Sequence, residues 1–218
     1  SNDSFPTAMH IAAAERIAVA AKAGEAAAAW RSPGRTSDDH AVDVLANVQD
    51  GAAARRASAG EAEGVGLFRT ELCFLTARTE PSVDDQARIY GEVFAAFPGS
   101  KVVVRTLDAG SDKPVPFANH EHEENPALGV RGIRLGWTNA GIVERQLDAI
   151  AQAAEDTGAT DPWVMAPMVA TVDEAYEFAE LCRARNLKPG IMVEIPAAAL
   201  LADQFLAEVD FFTIGSND

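Results

Sequence analysis

From about residue 41 onward the chain alternates short runs that are apolar throughout with longer stretches whose apolar residues recur every three or four positions. The apolar runs predict strands at 42–48, 64–69, 102–107, 163–167, 190–195 and 210–215. The periodic stretches predict helices at 51–60, 83–97, 140–156, 171–185 and 197–208. Two of these open with the spacing of a capping box, Ser82 to Asp85 and Thr171 to Glu174. Short strands with no polar face, separated by helices, indicate a parallel sheet covered by those helices. No GxGxxG turn follows the first strand, so the pattern favours a barrel over a dinucleotide-binding sheet. The expected fold class is α/β, a (β/α)8 TIM-type barrel with about six of its eight βα units within these residues. A six-stranded parallel sheet would leave two bare edges, which predicts strain, aggregation or pairing with a second copy.

Residues 7–31 are Ala-rich and free of Pro, with strong helix propensity but no single apolar face; Pro33-Gly34 ends the stretch. They read as a linker helix, giving residues 1–35 as linker and N-terminal remnant and residues 36–218 as barrel, C-terminally incomplete. One connection is unusually long. Residues 108–139 separate a strand from its helix and carry Asp108, Asp112, Lys113, Asn125, Arg131 and Arg134, with Leu128, Val130, Ile133 and Leu135 as expected apolar anchors. Connections of that length in compact domains are usually functional.

Acidic residues outnumber basic ones 33 to 18, a formal charge of −15. Such a surface argues against nucleic acid and anionic membrane as partners, and each arginine must be read singly. No apolar run is long enough to span a bilayer. Cys73 and Cys182 lie far apart with no metal-binding spacing, and read as free thiols of a cytoplasmic protein. His10, His40, His120 and His122 lie away from the strand ends, and no Ser/His/Asp set is present.

Four strand ends carry chemistry. Arg69 closes GVGLFR and Arg105 closes VVVR, which puts two guanidinium forks at one mouth, suited to a phosphate or carboxylate dianion. Each could instead pair with a local acid, Glu71 or Asp108. Glu194 closes GIMV and Asp218 closes FFTIGSN. Two carboxylates beside a phosphate suit Mg²⁺, or a salt bridge to the arginines without metal. Lys113 could add a point charge to the same phosphate.

Taken together, GLFRTE, VVVRTLDAGSDK, NPALGVRGIR, MVEIPAA and IGSND resemble the phosphoenolpyruvate-binding barrel of the phosphoenolpyruvate-utilising enzymes. The likeness is strongest to the enzyme I branch, the phosphoenolpyruvate–protein phosphotransferases of bacterial sugar uptake. The resemblance implies transfer of phosphoryl from phosphoenolpyruvate to an enzyme histidine and then to a histidine-containing phosphocarrier protein, with pyruvate released. It matches Arg69 and Arg105 to the phosphate arginines, Glu194 and Asp218 to the Mg²⁺ ligands, and Asn217 to a substrate contact beside the metal. Lys113, Arg131 and Arg134 match charged positions of a supporting loop. It also implies a homodimer. The family's catalytic cysteine acid, a further arginine and the phosphorylated histidine have no counterpart in these residues, so this chain is expected to be inactive alone. The pyruvate phosphate dikinase and phosphoenolpyruvate synthase branch, or a non-catalytic binding or dimerisation module, are the alternatives.

Overall fold

A computed structural model of the chain describes residues 33–74, 77–110, 115–118, 123–125 and 128–215. The linker stretch 7–31, Lys113, Asn217, Asp218, His10, His120 and His122 lie outside them. The chain divides into two units after Val42. The described part of the first is a small turn in which Arg35 bridges Ala41 and the Val42 N–H returns to the Gly34 carbonyl. That bond is why the first strand begins later than the apolar pattern suggests.

The second unit alternates strand and helix, with six strands and five helical connections among the described residues. Strands β1 (Leu45–Val48), β2 (Gly64–Arg69), β3 (Val102–Arg105), β4 (Trp163–Ala166), β5 (Lys188–Val193) and β6 (Phe211–Ile214) form one sheet in sequential order. Every neighbouring pair is parallel. Between them run α1 (Gly51–Ser58), α2 (Val83–Ala96), α3 (Ile142–Thr157), α4 (Val172–Arg183), α5 (Pro196–Leu200) and α6 (Ala202–Glu208). This is a curled, partial (β/α) barrel, as the alternation predicts.

Side chains sort onto two faces. Val102, Val104, Val164, Ala166 and Ile191 point to the helices and join Tyr90, Phe94, Leu147, Ile150 and Phe178 in the main core. Val103, Met165, Met192 and Phe211 form a second cluster on the inner face, with Leu67 and Trp163 packed against it. Period-two alternation explains this in β3 to β6. It fails in β2, where Val65 and Phe68 both join the outer core although they lie three residues apart. The ladder shows why. Ala46 pairs with Val65 but Asn47 pairs with Leu67, so Gly66 is an extra residue, a bulge. A Cβ at Gly66 would meet Leu45 Cβ at 3.0 Å, so a larger residue crowds β1 there.

Local chemistry sets the helix ends. The Asp50 carboxylate accepts from the Ala53 N–H at 2.6 Å to start α1. Thr171 and Glu174 complete a reciprocal capping box at α4. At α2 the box is half made: Ser82 Oγ accepts from the Asp85 N–H, but the Asp85 carboxylate takes the Ser82 hydroxyl instead of reaching the backbone. The helix expected over 197–208 is two helices, because Leu201 leaves helical geometry (φ −111°, ψ 26°). The two pieces bury Ala198 and Phe205 separately and leave Leu200 and Leu206 exposed.

Candidate functional site

The C-terminal ends of the strands open onto a cavity of about 680 Å³. Arg69, Arg105, Asp108, Arg131 and Glu194 line its rim, and Leu67, Met165, Met192 and Thr213 its wall. Arg69 and Arg105 are register partners across β2 and β3, so the ladder itself holds the two guanidiniums side by side. The Gly66 bulge matters here. It reverses the facing of the residues after it, and so brings Arg69 to the same inner side as Arg105.

Glu71, in the 3-10 turn Thr70–Cys73 that continues β2, lies between them. Its Oε1 accepts from Arg105 Nη2 at 2.6 Å and from Arg69 Nε at 3.2 Å. Arg105 Nη2 also meets Asp108 Oδ2 at 3.2 Å, and Asp108 Oδ1 accepts from Arg131 Nε at 3.1 Å. The local pairing that the sequence left open is therefore present, and it is shared. Three guanidiniums and two carboxylates thus form one linked group on this wall.

The two central arginines differ in what they have left to give. The Arg105 side chain is 7% exposed, with Nη1 against Met192 Sδ at 3.7 Å. Its Nε is buried with no partner among the described residues, as is Glu71 Oε2. The Arg69 side chain is 42% exposed, and its Nη groups have no hydrogen-bond partner among the described residues. Glu71 Oε2 is an acceptor and calls for a donor; the buried donor Arg105 Nε, costly without a partner, and the exposed Arg69 Nη groups would each be satisfied by a ligand oxygen. Three oxygens of a phosphoryl group match that set in number and chemistry.

Glu194 follows β5 and lies on the same cavity, with Oε1 accepting from the Met168 N–H at 2.7 Å. A carboxylate on the cavity rim is the kind of hard oxygen donor that suits Mg²⁺. Asp218, the second expected ligand, lies outside the described residues.

The structure separates the other sequence candidates. Arg131 reaches the cavity through Asp108. Arg134 does not line it: buried in the 3-10 turn Gly132–Trp137, it donates to the Met168 carbonyl at 3.3 Å. Of the expected loop anchors, Val130, Ile133 and Leu135 pack on the core, but Leu128 is 79% exposed. Cys73 and Cys182 are free. Burial, then the nearby carboxylates of Asp50, Glu71 and Glu92, push the Cys73 thiol from its ordinary 9.0 up to about 12, and burial also raises Cys182. A thiol held protonated in this way is a poor nucleophile.

Comparison with known proteins agrees with this fold. Residues 23–218 match the family described as PEP-utilising enzyme, PEP-binding domain. The chain is 47% identical over 208 residues to the phosphoenolpyruvate-protein phosphotransferase of Streptomyces coelicolor, covering 94% of this chain and 37% of that protein. It is 44% identical over 197 residues to the protein of the same name from Haloferax volcanii, covering 84% of this chain and 35% of that one. It is 41% identical over 193 residues to a multiphosphoryl transfer protein of Xanthomonas campestris, covering 85% of this chain and 23% of that one. The chain thus spans well under half the length of these curated relatives. With most of its residues matched by that model, the chain belongs to the PEP-utilising enzymes, in the region of their PEP-binding domain.

Proposed function

We propose that this chain holds phosphoenolpyruvate in the barrel of a phosphoenolpyruvate–protein phosphotransferase, which passes the phosphoryl group to its own histidine and then to a phosphocarrier protein of sugar uptake. The observation that carries the reading is the register pair Arg69 and Arg105, bridged by one oxygen of Glu71 on the wall of a cavity that Glu194 shares. The names of the Streptomyces and Haloferax relatives support the reaction class.

The chemistry follows from the charges. The free Nη edge of Arg69 and the unsatisfied Nε of Arg105 receive phosphoryl oxygens. Glu71 and Asp108 keep the guanidiniums from swinging away, so little reorganisation accompanies the reaction. As the P–O bond to the enol breaks, charge spreads over the equatorial oxygens that face the arginines. The attacking histidine nitrogen forms the new P–N bond in line, and the enolate leaves with the old bonding pair. It becomes pyruvate on protonation at carbon by an acid outside the described residues. Glu194 and Asp218 would hold Mg²⁺, which when bound supplies positive charge beside the phosphate and enolate oxygens. Asn217 would contact the substrate beside it, and Lys113 and Arg131 would support the phosphate. A homodimer in the cytoplasm completes the reading, supported by the family likeness and by two free thiols.

Arg105→Ala in the whole protein is expected to lower phosphoryl transfer by about a thousandfold, the scale of losing a central transition-state donor. Transfer at the wild-type rate in that variant, or no calorimetric binding of phosphoenolpyruvate with Mg²⁺ by the wild-type protein, would overturn the assignment.

A further inference from the structure

The ladder between β2 and β3 ends at Arg69 and Arg105. Beyond that pair the two segments part, β2 into the turn Thr70–Cys73 and β3 into residues 106–110. Their backbone groups are buried and still need partners. The Thr70 hydroxyl donates to the Arg105 carbonyl at 2.8 Å, and the Leu107 N–H donates to Gln146 Oε1 at 2.8 Å. Gln146 reaches in from α3 and is 4% exposed. Its Nε2 donates to Thr70 Oγ1 at 3.1 Å and to the Tyr90 hydroxyl at 3.0 Å. Tyr90 donates to Gln86 Oε1 at 2.9 Å, and Gln86 Nε2 donates to the Pro81 carbonyl at 3.0 Å.

The proton direction is fixed at every link. Leu107 offers only an N–H, so Gln146 must meet it with oxygen and turn both amide hydrogens to Thr70 and Tyr90. Pro81 offers only a carbonyl, so Gln86 must meet it with nitrogen and accept from Tyr90. Each hydroxyl then has its hydrogen available for the acceptor it faces. One amide thereby ties the end of β2, through one N–H, to the end of β3, through its oxygen, and gives its second N–H to Tyr90. A carboxylate or an aliphatic side chain at 146 could not make the same set.

We propose that Gln146 is a positioning residue of the anion site. By bridging Thr70 and Leu107 it fixes the spacing of Arg69, one residue before Thr70, and Arg105, two residues before Leu107. The ligand named in the test rests on the function proposed above.

The test compares Gln146→Met, Thr70→Val and their combination in the whole protein, with Phe178→Leu in the core under α4 as a variant that loses stability alone. Phenomena to be read are calorimetric affinity for phosphoenolpyruvate with Mg²⁺ and hydrogen exchange of segment 102–110. Gln146→Met and Thr70→Val are each expected to weaken binding roughly tenfold and to speed exchange in that segment. The combined variant should be no weaker than the worse single one, as expected of groups acting through one link. Phe178→Leu should lower the melting temperature yet keep affinity and exchange at 102–110. Affinities in Gln146→Met and Thr70→Val equal to that of Phe178→Leu would overturn the proposal. Should the wild-type protein bind no phosphoenolpyruvate, the functional reading falls separately, and unchanged exchange at 102–110 in both variants would still sink the positioning role. Thr70→Val, which removes one hydroxyl, decides the matter where Gln146→Met does not fold.

Discussion

At the N-terminal ends of the strands Lys101 and Lys188 lie 4.8 and 4.1 Å from the ring centroid of Trp163, which itself packs tilted against Phe211 at 4.6 Å between ring centres. At the C-terminal ends Arg69 and Arg105 share the carboxylate of Glu71. Both ends of one sheet thus carry a pair of cations, under different conditions. The lysines are partly exposed and face Asp43 at 2.7 Å and Asp161 at 3.9 Å, carboxylates that are more exposed still. Their heads reach water, and the pairs do little beyond covering an aromatic floor. Arg105 and Glu71 are withdrawn from water, and each keeps an atom with no partner among the described residues. Counting cations would rank the two ends equally. Desolvation and leftover hydrogen-bonding capacity separate them, and they are why the proposed anion site lies at the C-terminal end.

The sharpest way to break this comparison is Arg105→Lys. Arg105 meets Glu71 and Asp108 through Nη2 alone, and a shorter lysine with one ammonium cannot hold both acids there and also offer the Nε–H that faces no partner among the described residues. Urea denaturation should show a loss of about 3 kcal/mol, the scale of breaking a buried pair. Calorimetry should show phosphoenolpyruvate binding at least about a hundredfold weaker. Gly190→Ala comes next. An added Cβ would strike the Phe211 ring, the floor of the inner face, and should lower stability by about 1–3 kcal/mol in thermal melts. Affinity for phosphoenolpyruvate should survive, because the clash lies at the other end of the strands. Replacing Lys101 and Lys188 together by Met should cost no more than about 1–2 kcal/mol and leave the ligand dissociation constant unchanged. A large loss of affinity there would erase the distinction between the ends.

The smallest effect is alkaline. The Cys73 thiol is held up to about 12, above its ordinary 9.0, so the folded state keeps a proton that the unfolded state gives up. Its contribution is complete below pH 9 and fades as pH rises toward 12. Denaturation midpoints followed across that window should fall less in Cys73→Ala than in wild type. Iodoacetamide at neutral pH should leave Cys73 unmodified in the folded protein.

Much of this architecture could be read from the chain alone. Six apolar runs became six parallel strands in sequential order, and Arg69 and Arg105 met at one rim, because strand-end position follows directly from where an apolar run stops. Three features escaped such reading. The break at Leu201 has no Gly or Pro to announce it. Arg134 carries the same charge as Arg131 three residues earlier, yet the turn Gly132–Trp137 buries it against the Met168 carbonyl, away from the cavity. Gln146 sits in a helix whose apolar face would absorb it without remark, since an amide gains meaning only from partners distant in sequence: Thr70, Tyr90 and Leu107. Glu71 was visible as a neighbour of Arg69, but its bond to Arg105 depends on the strand pairing.

The glycine bulge in β2 has a consequence for how this strand tolerates change in length. Excising Gly66 would set Leu67 directly after Val65, as Asn47 follows Ala46 on β1, so Leu67, Phe68 and Arg69 would all keep their present facing. Adding one residue between Leu67 and Phe68 would instead turn Phe68 toward the hollow of the barrel and Arg69 toward the helices, exchanging an oily anchor for a charge on both sides at once. The strand can lose a residue at its bulge but cannot gain one beyond it.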